Sequence, residues 1–542
     1  FGVDYQNIFQ LIKTATTQSA PAFHPSFATS VALPEPMSDT QSGATCGSTG
    51  RSYKYGEGRV LCQNFAKSLL TKVGLKPGEV VGILMPNIPE YVIAIHGALE
   101  AGLTVTVVNP LYTVGEIKRQ FENAEVSCVI TIEQFVPLAQ GAVEGLKGYK
   151  GHIVVGGDSA PEKKIFGLKE LIMEGFSLDT PLPKVSADDI ALLPYSSGTT
   201  GMPKGVKLTH KNCAVNLEQC KHPDFVNHTP TSVLSVLPFF HTYGFNGILN
   251  TALMYGMHMI TIPKFTPEAY IECVLKYKPT ILFVVPSLLL FLASHPAVTA
   301  ETLSSIKEVT SGAAPGPKSL IDKFKYKLGR DNVSIRQGYG MSETSPCTTL
   351  TPWNLPASKL GSVGQLVKGT QARIVSLTTK EDLDAHQSGE LYVKGPQVMA
   401  GYLKNDEATK ETIDEEGWLH TGDVAYYDED HYFFIVDRTK ELIKVKGNQV
   451  SPTELESIIM QIQGVADAAV VGIPDILSGE IPRAFVVRRP GSTVTEEDII
   501  QHVEPKVAAY KKLAGGVRFL DMIPRNPAGK VLRNELKVFE YK

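Results

Sequence analysis

The sequence predicts an α/β fold for most of the chain and a smaller α+β domain at its carboxyl end. Up to about residue 360, short apolar segments alternate with amphipathic helical segments, which is typical of largely parallel sheets with helices on their faces. From about Gly361 the pattern changes to short alternating strands, which predict a small β-rich subdomain. A chain of 542 residues is also too long for one core. We therefore predict an N-terminal domain over 1–439 and a C-terminal domain over 440–542, with the boundary at Lys440.

Each element is predicted from the spacing of its apolar residues and from the turn residues beside it. The first part of the chain gives a helix at 8–12, an exposed polar loop at 38–52, a strand at 53–55, a helix at 60–70, a strand at 80–84, a helix from Pro89, a strand at 104–108, a helix at 116–123, and strands at 126–132, 153–155 and 190–193. The remainder gives strands at 235–237 and 259–262 around a helix from about Gly247, strands at 280–285, 307–310, 372–375, 389–393, 431–436 and 442–445, a helix from Pro452, strands at 466–472 and 483–487, a helix at 496–503 and a strand at 518–520.

Composition excludes several classes of protein. With 43% hydrophobic residues, 20% charged residues and a net charge of −4, the chain resembles an ordinary globular protein and gives no reason to expect a nucleic-acid partner. The seven cysteines are scattered, which favours reduced thiols in an intracellular compartment over a disulfide framework or a metal cluster. No apolar run is long enough to predict a transmembrane segment. We expect a cytoplasmic or peroxisomal monomer or weak dimer, although the chain does not end in Ser-Lys-Leu.

The stretch 195–206 reads Tyr-Ser-Ser-Gly-Thr-Thr-Gly-Met-Pro-Lys-Gly-Val. It follows the predicted strand 190–193 and precedes a helix that Thr209 caps near Lys211. Glycines let backbone N–H groups approach an anion, hydroxyls donate hydrogen bonds, and Lys204 supplies a positive charge. A solvated linker shares the glycine, serine and threonine content but requires neither the lysine nor the flanking strand. The stretch therefore predicts a phosphate-binding loop.

This loop does not follow the two common nucleotide-binding patterns. Pro203 precedes Lys204 and Gly205 follows it, so the Gly-Lys-Ser/Thr ending of P-loop NTPases is absent, and the glycine spacing of dinucleotide folds also fails. Instead, the loop resembles that of the adenylate-forming superfamily of acyl-CoA synthetases, 4-coumarate–CoA ligases and beetle luciferases. Six further stretches share the resemblance, in the same order, at residues 238–245, 310–315, 337–344, 418–423, 436–449 and 524–530.

The resemblance implies that ATP, Mg²⁺ and coenzyme A bind here. Tyr339 would stack on adenine, Asp423 and Arg438 would bind the ribose hydroxyls, Ser342 would bind a phosphate oxygen, and Glu343 would bind Mg²⁺. The full set implied for ATP and coenzyme A is Ser196, Ser197, Gly198, Thr199, Thr200, Lys204, Lys264, Gln337, Gly338, Tyr339, Ser342, Asp423, Arg438, Lys440, Lys446, Gly447 and Gln449.

The resemblance also assigns residues to the acid and to catalysis. A lone histidine among aromatic residues is more often part of a core than a catalyst, but in this company His241 would orient the acyl carboxylate. Tyr243, Ala313, Gly338 and Leu350 would line the acyl pocket. Lys530 would serve adenylation, and Lys444 would serve thioester formation. In the family a rotation about the position of Lys440 exchanges the two lysines, so the C-terminal domain is expected to be mobile.

The sequence therefore predicts an AMP-forming acid–thiol ligase, with 4-coumarate or another hydroxycinnamate as the acid. Asn448 occupies a place that is usually aromatic in plant ligases and luciferases. Gly247 is very small for a residue of the acyl pocket. Together with Thr242, these departures leave the acid open among a hydroxycinnamate, another aryl acid and a medium- or long-chain fatty acid, and a luciferase-like monooxygenase is a further alternative. A catalytically inactive homologue is disfavoured, because every charged motif residue is present.

Overall fold

The computed structural model describes residues 42–196, 203–221, 231–314, 318–438, 441–445, 448–475, 477–526 and 529–538. The helix predicted at 8–12 and the predicted boundary Lys440 lie outside these ranges. In the described part, the α/β fold predicted from the sequence is confirmed: two large sheets carry helices on their faces, and two smaller antiparallel or mixed sheets follow.

The first large sheet has seven strands among the described residues. In order across the sheet these are Leu208–Thr209, Ile190–Leu193, Thr104–Val107, Val80–Leu84, Val126–Ile132, Gly151–Val155 and Ile165–Gly167. All neighbours are parallel except the first pair. Valine and isoleucine fill the central strands because helices cover both faces of a parallel sheet.

The second large sheet has nine strands among the described residues. In order they are Gln365–Leu366, Cys347–Leu350, Ser334–Gly340, Glu308–Ser311, Ile281–Val284, Ser232–Ser235, His258–Thr261, Ser42–Cys46 and Ser52–Lys54. The six strands from Ser334–Gly340 to Ser42–Cys46 are parallel, and the outer strands are antiparallel. The carboxyl ends of these parallel strands therefore meet at one edge, where motifs 238–245, 310–315 and 337–344 begin.

The prediction of an exposed loop at 38–52 holds for the exposed turn at 47–51 but is wrong for residues 42–46. Ser42–Cys46 is a strand parallel to His258–Thr261, and Ala44 and Cys46 are buried in it. The small polar residues are typical of a loop. Inside the sheet, however, the Thr45 hydroxyl has a hydrogen-bond partner, because its Oγ1 donates to Ser52 Oγ at 3.0 Å. Pairing with a strand more than two hundred residues away overrides the local composition.

The helices predicted within the described residues are present, with ends shifted by a few residues, and about as many further helices were not predicted. The described helices are Tyr55–Thr71, Glu90–Glu100, Val114–Ala124, Val136–Val143, Leu168–Gly175, His210–Cys220, the π-helix Tyr243–Asn250, Thr251–Tyr255, Pro267–Tyr277, Pro286–Ser294, Lys318–Leu328, Asp406–Thr412, Pro452–Ile459, Glu496–Val503 and Arg533–Val538. Thr209 caps its helix as predicted, because its hydroxyl accepts the N–H of Asn212 at 3.0 Å.

Two smaller sheets, together with the two-stranded pair of Tyr195–Ser196 and Lys204–Gly205, complete the described chain. The β-rich subdomain is an antiparallel sheet of Gln371–Val375, Gly389–Lys394, Leu419–Tyr427 and Phe433–Arg438. The C-terminal sheet contains Asn448–Val450, Ile443–Val445, Gly479–Arg488, Val465–Asp475 and Val517–Phe519. Its buried residues, such as Val450, Leu455 and Val486, form a hydrophobic cluster separate from the core shared by the two large sheets.

Candidate active site

The motif around His241 begins where a central strand of the nine-stranded sheet ends. Asn87, from the other large sheet, holds this turn: its Nδ2 donates to the carbonyls of Ser235 and Leu237, and its Oδ1 accepts the N–H of Phe239 at 2.9 Å. The helix expected from about Gly247 begins earlier, at Tyr243, and it is a π-helix. A side chain at Gly244 would overlap the carbonyl of Pro238, so only glycine permits this tight approach.

His241 is held as a neutral imidazole with a defined tautomer. Its Nδ1 accepts the backbone N–H of Tyr243 at 3.2 Å. Burial lowers the pKa of His241 to about 4, so the ring is uncharged at neutral pH. With Nδ1 as an acceptor, the proton lies on Nε2. The side chain lines a cavity and presents a neutral donor to whatever occupies it.

The cavity beside His241 has a volume of about 140 Å³. An apolar cavity of roughly 150 Å³ in another protein holds benzene, so this one can accommodate an aromatic ring. The ring of Tyr243 lies between Gly247 and Gly312, and its hydroxyl donates to the carbonyl of Thr310 at 3.0 Å. The predicted pocket residues Tyr243, Ala313, Gly338 and Leu350 all line this cavity. Ala313 has a φ of 68°, an unusual conformation for alanine that recurs at ligand sites.

A buried ion pair, which the sequence analysis missed, forms part of the cavity wall. Arg336 Nη1 lies 2.9 Å from Glu308 Oε1, and both side chains are about 95% buried or more. Glu308 and Thr310 on one strand, and Arg336 on the next, face the cavity, whereas the intervening Val309 is buried on the opposite side of the sheet. Counting back by two from the predicted pocket residue Gly338 would have identified Arg336.

The predicted nucleotide residues converge next to this cavity. Tyr339 donates its phenol proton to Asp423 Oδ2 at 2.6 Å, and Arg438 Nε lies 3.1 Å from Asp423 Oδ1. Burial raises the pKa of the Asp423 carboxyl, and the charge of Arg438 opposes that rise. Tyr339 comes from the nine-stranded sheet, whereas Asp423 and Arg438 are paired on adjacent strands of the β-rich subdomain. The site therefore lies where these two sheets meet.

Glu343 and Lys204, from two separate motifs, meet at Tyr402. The Tyr402 hydroxyl donates to Glu343 Oε1 at 2.9 Å, and Lys204 Nζ lies 4.9 Å from the centroid of the Tyr402 ring. Within the described ranges, no group of three or more His, Cys, Asp or Glu side chains could hold a metal ion by itself. Glu343 nevertheless fits Mg²⁺ that bridges phosphates, because such an ion needs only one or two protein carboxylates. Sequence reasoning did not identify Tyr402.

Lys530 reaches the same region from the C-terminal domain. Its Nζ lies 3.8 Å from Glu441 Oε1, and its backbone N–H donates to Asn526 Oδ1 at 2.9 Å. Burial, followed by the charge of Arg438, lowers the pKa of Lys530 to about 8. The preceding Gly529 packs against the large domain, since a Cβ there would lie 3.2 Å from Ser287 Oγ. The structure thus brings Lys530 close to the Asp423–Arg438 pair.

The remaining predicted residues are distributed as follows. Lys444 is exposed on the strand Ile443–Val445, away from the cavity, and Lys264 is also exposed. Gln337 is buried and donates to the Ser362 carbonyl, whereas Ser342 lies on the short turn Ser342–Thr344 beside Glu343. Ser196 pairs with Lys204 across the base of the phosphate loop. Ser197, Gly198, Thr199, Thr200, Lys440, Lys446, Gly447 and the side chain of Gln449 lie outside the described residues.

None of the helices in the described ranges has the length and hydropathy needed to cross a lipid bilayer.

Comparison with known proteins identifies the family of the chain. The AMP-binding enzyme family matches residues 37–403, and the AMP-binding enzyme C-terminal domain matches residues 454–530. 4-Coumarate–CoA ligase 1 of Petroselinum crispum is 38% identical over 500 residues, covering 91% of this chain and 90% of the relative. 4-Coumarate–CoA ligase 3 of Oryza sativa subsp. japonica is 40% identical over 500 residues, covering 91% and 88%.

Solved structures show the same architecture. ATP-bound MatB from Rhodopseudomonas palustris has a TM-score of 0.84 and 28% identity, covering 99% of this chain and 100% of that protein. The anthranilate CoA ligase AuaEII in complex with anthranoyl-AMP has a TM-score of 0.85 over 98% and 97% of the two chains, but at 22% identity it supports the fold alone. The family match covers more than half of the sequence, and the curated relatives align over nine-tenths of it. The chain therefore belongs to the AMP-binding enzyme family and is an adenylate-forming CoA ligase.

Proposed function

We propose that this ligase joins a hydroxycinnamate, with 4-coumarate as the predicted acid, to coenzyme A. The observation that carries the proposal is the position of the cavity. It is large enough for one aromatic ring, it is bordered by His241, and it opens beside the Tyr339–Asp423–Arg438 cluster. The relatives named 4-coumarate–CoA ligase, at 38% to 40% identity, support the same acid.

The Glu308–Arg336 pair supports a hydroxylated aromatic acid over a plain fatty acid. A purely apolar chain beside a buried ion pair gains no hydrogen bond from it, whereas a phenol oxygen can accept or donate one. The two opposite charges lie 2.9 Å apart, so the wall carries no net charge and does not favour a second carboxylate on the acid. A neutral polar substituent on the ring suits this wall best.

In the first half-reaction, His241 would orient the acid. Its neutral Nε2–H would donate to one carboxylate oxygen, and the other oxygen would attack the α-phosphorus of ATP. The acyl-adenylate forms as the bond to pyrophosphate breaks. Asp423 and Arg438 would hold the ribose, and Lys530, which is largely protonated at neutral pH, would stabilise the negative charge that develops on the transferred phosphate. Mg²⁺ held at Glu343 would neutralise charge on the leaving pyrophosphate.

In the second half-reaction, coenzyme A as its thiolate would attack the activated acyl carbon and AMP would leave. Lys444 is exposed in this structure, whereas Lys530 is partly buried beside Glu441. We propose that rotation of the C-terminal domain near Lys440 withdraws Lys530 and brings in the hairpin that carries Lys444, with Lys264 and residues 446–449 contacting coenzyme A. The register Lys444–Gln449 puts the two predicted residues opposite each other on that hairpin, which supports their acting together.

The test is pyrophosphate release across a panel of acids, with and without coenzyme A, together with mass detection of the thioester. We expect 4-coumarate and its close analogues to give the highest kcat/KM and to yield an acyl-CoA. Preference for octanoate or palmitate over every hydroxycinnamate would refute the acid assigned here and favour the fatty-acid alternative. Light emission with luciferin, ATP and O₂ would instead favour the monooxygenase alternative.

A further inference from the structure

We propose that Tyr402 is a positioning residue that couples the phosphate-loop lysine to the metal-binding carboxylate. The inference rests on the proposed roles of Lys204 and Glu343. Tyr402 is itself outside every motif that predicted the site, and it is not expected to touch the reacting atoms. Its two contacts link two stretches that are more than a hundred residues apart in the sequence.

The first contact orients Glu343. The Tyr402 hydroxyl donates to Oε1 at 2.9 Å, and both side chains are about 95% buried. A carboxylate oxygen that already accepts a hydrogen bond is fixed in direction, which leaves the carboxylate preset to bind a cation through its other lone pairs. Partners of this kind around metal ligands typically affect metal affinity by about 10- to 100-fold when they are removed.

The second contact holds Lys204. Its ammonium group lies 4.9 Å from the centroid of the Tyr402 ring, within the range of a cation–π interaction. Such a contact restricts a flexible lysine and holds its charge against the ring whose hydroxyl contacts Glu343. The ring and the hydroxyl of one residue therefore act on two different groups.

Backbone hydrogen bonds hold the segment that carries Tyr402 in place. Residues 400–403 pair with residues 205–207 as a short ladder: Val206 bridges Tyr402, the Leu403 N–H donates to Gly205 O at 2.8 Å, and the Lys207 N–H donates to Gly401 O at 2.9 Å. The Tyr402 N–H donates to Thr409 Oγ1 at 2.9 Å, and the Met399 N–H donates to the Glu343 carbonyl at 2.9 Å. The segment is thus attached to both the arm of the phosphate loop and the Glu343 turn.

Two substitutions separate the two contacts. Tyr402→Phe removes only the hydroxyl and retains the ring under Lys204, whereas Tyr402→Leu removes both. The proposal predicts that Tyr402→Phe weakens binding of MgATP about tenfold but leaves binding of metal-free ATP unchanged. Tyr402→Leu should weaken binding of both, with a further loss of about two- to fivefold from the missing cation–π contact.

The measurement is equilibrium binding by calorimetry to the full chain, without any carboxylic acid, so that no turnover occurs. ATP is titrated once with Mg²⁺ and once with a chelator. Tyr149→Phe is the matched control, because it also removes a tyrosine hydroxyl that hydrogen-bonds a neighbouring side chain, His152 Nδ1 at 2.8 Å, and Tyr149 neither lines the cavity nor contacts Lys204 or Glu343. It should leave both affinities unchanged.

The outcomes distinguish the inference from the proposed function. If Glu343→Gln lowers MgATP affinity but Tyr402→Phe does not, the positioning role is wrong and the metal site stands. If Glu343→Gln changes nothing, the metal assignment fails, and the inference fails with it. An equal loss with and without Mg²⁺ in Tyr402→Phe would show a general structural effect and would overturn the proposal. If Tyr402→Leu is not obtained folded, the Mg²⁺ dependence of Tyr402→Phe alone decides the result.

Discussion

The ammonium group of Lys530 lies 3.8 Å from the carboxylate of Glu441, at the junction between the C-terminal domain and the Asp423–Arg438 pair. Lys530 is partly buried there, whereas Lys444 is exposed. In this one orientation of the C-terminal domain, Lys530 and Lys444 cannot both reach the reacting groups. The structure corresponds to the orientation in which Lys530 lies close to the residues that are predicted to bind the nucleotide.

This difference predicts opposite effects for the two lysines. Lys530→Ala should remove most acyl-adenylate formation, with a loss of about 100-fold or more, because a positioned charge is missing where negative charge develops. It should still convert pre-made acyl-adenylate to acyl-CoA. Lys444→Ala should retain pyrophosphate release and lose thioester formation. The two half-reactions are measured separately by pyrophosphate release and by thioester yield, and equal loss of both in either variant would contradict the two-surface mechanism.

The lowered pKa of Lys530 predicts how the rate of adenylation falls at alkaline pH. Its pKa is about 8, so the ammonium form dominates below that pH and is lost as the pH rises through it. The rate of pyrophosphate release should fall above pH 8. In Lys530→Arg the guanidinium stays charged, so the remaining activity should show no fall at that pH. A wild-type profile that stays flat to pH 10 would be inconsistent with this role.

His241 should not cause the pH profile of kcat/KM to fall on its acidic side near pH 6.5, where histidines usually titrate. Burial lowers its pKa to about 4, so the neutral ring that donates from Nε2 is already present throughout pH 5 to 8. We expect kcat/KM for the acid to show no titration near pH 6.5. His241→Gln should lower the maximum of this profile without changing its shape. A wild-type limb near pH 6.5 that disappears in this variant would show that His241 titrates in that range.

Tyr339→Phe tests the nucleotide cluster. The variant retains the ring that would stack on adenine but loses the 2.6 Å hydrogen bond to Asp423. A hydrogen bond to a charged group is worth about 1.5 to 3 kcal/mol, so we expect the KM for ATP to rise by about 10- to 100-fold, with the KM for the acid nearly unchanged. Titration calorimetry with ATP provides a second measurement. A rise confined to the KM for the acid would assign Tyr339 to the acyl pocket instead.

The Glu308–Arg336 pair predicts a non-additive effect on stability. Arg336→Met alone removes the opposite charge beside the buried Glu308 carboxylate, whose hydrogen bond from the Thr310 hydroxyl remains, and should cost about 3 to 5 kcal/mol, whereas Glu308→Gln with Arg336→Met should cost less. The thermal midpoint of the double variant should therefore lie above that of Arg336→Met. The double variant should also lose discrimination between 4-coumarate and cinnamate. Additive losses of stability would show that the two charges do not depend on each other.

Much of the fold could be predicted because it depends on local pattern. Strands such as Val80–Leu84 and Val126–Ile132 are continuous apolar runs, and the cap at Thr209 is set by a few neighbouring residues. The strand Ser42–Cys46 could not be recognised, because its small residues form a strand only by pairing with His258–Thr261. The early start of the helix at Tyr243 likewise depends on Gly244 packing against Pro238.

The sequence by itself determined the family and the chemical groups expected at the site, because the residues predicted to contact phosphate, ribose and carboxylate occur in short continuous motifs. The tertiary structure decided which of these groups act together. Arg336 pairs with Glu308 only because adjacent parallel strands align them, and Tyr402 links Lys204 to Glu343 only because residues 400–403 pair with residues 205–207. Both arrangements depend on strand pairing, so although a count of two back from Gly338 indicates Arg336, nothing in the sequence around these residues indicates which partner each of them meets.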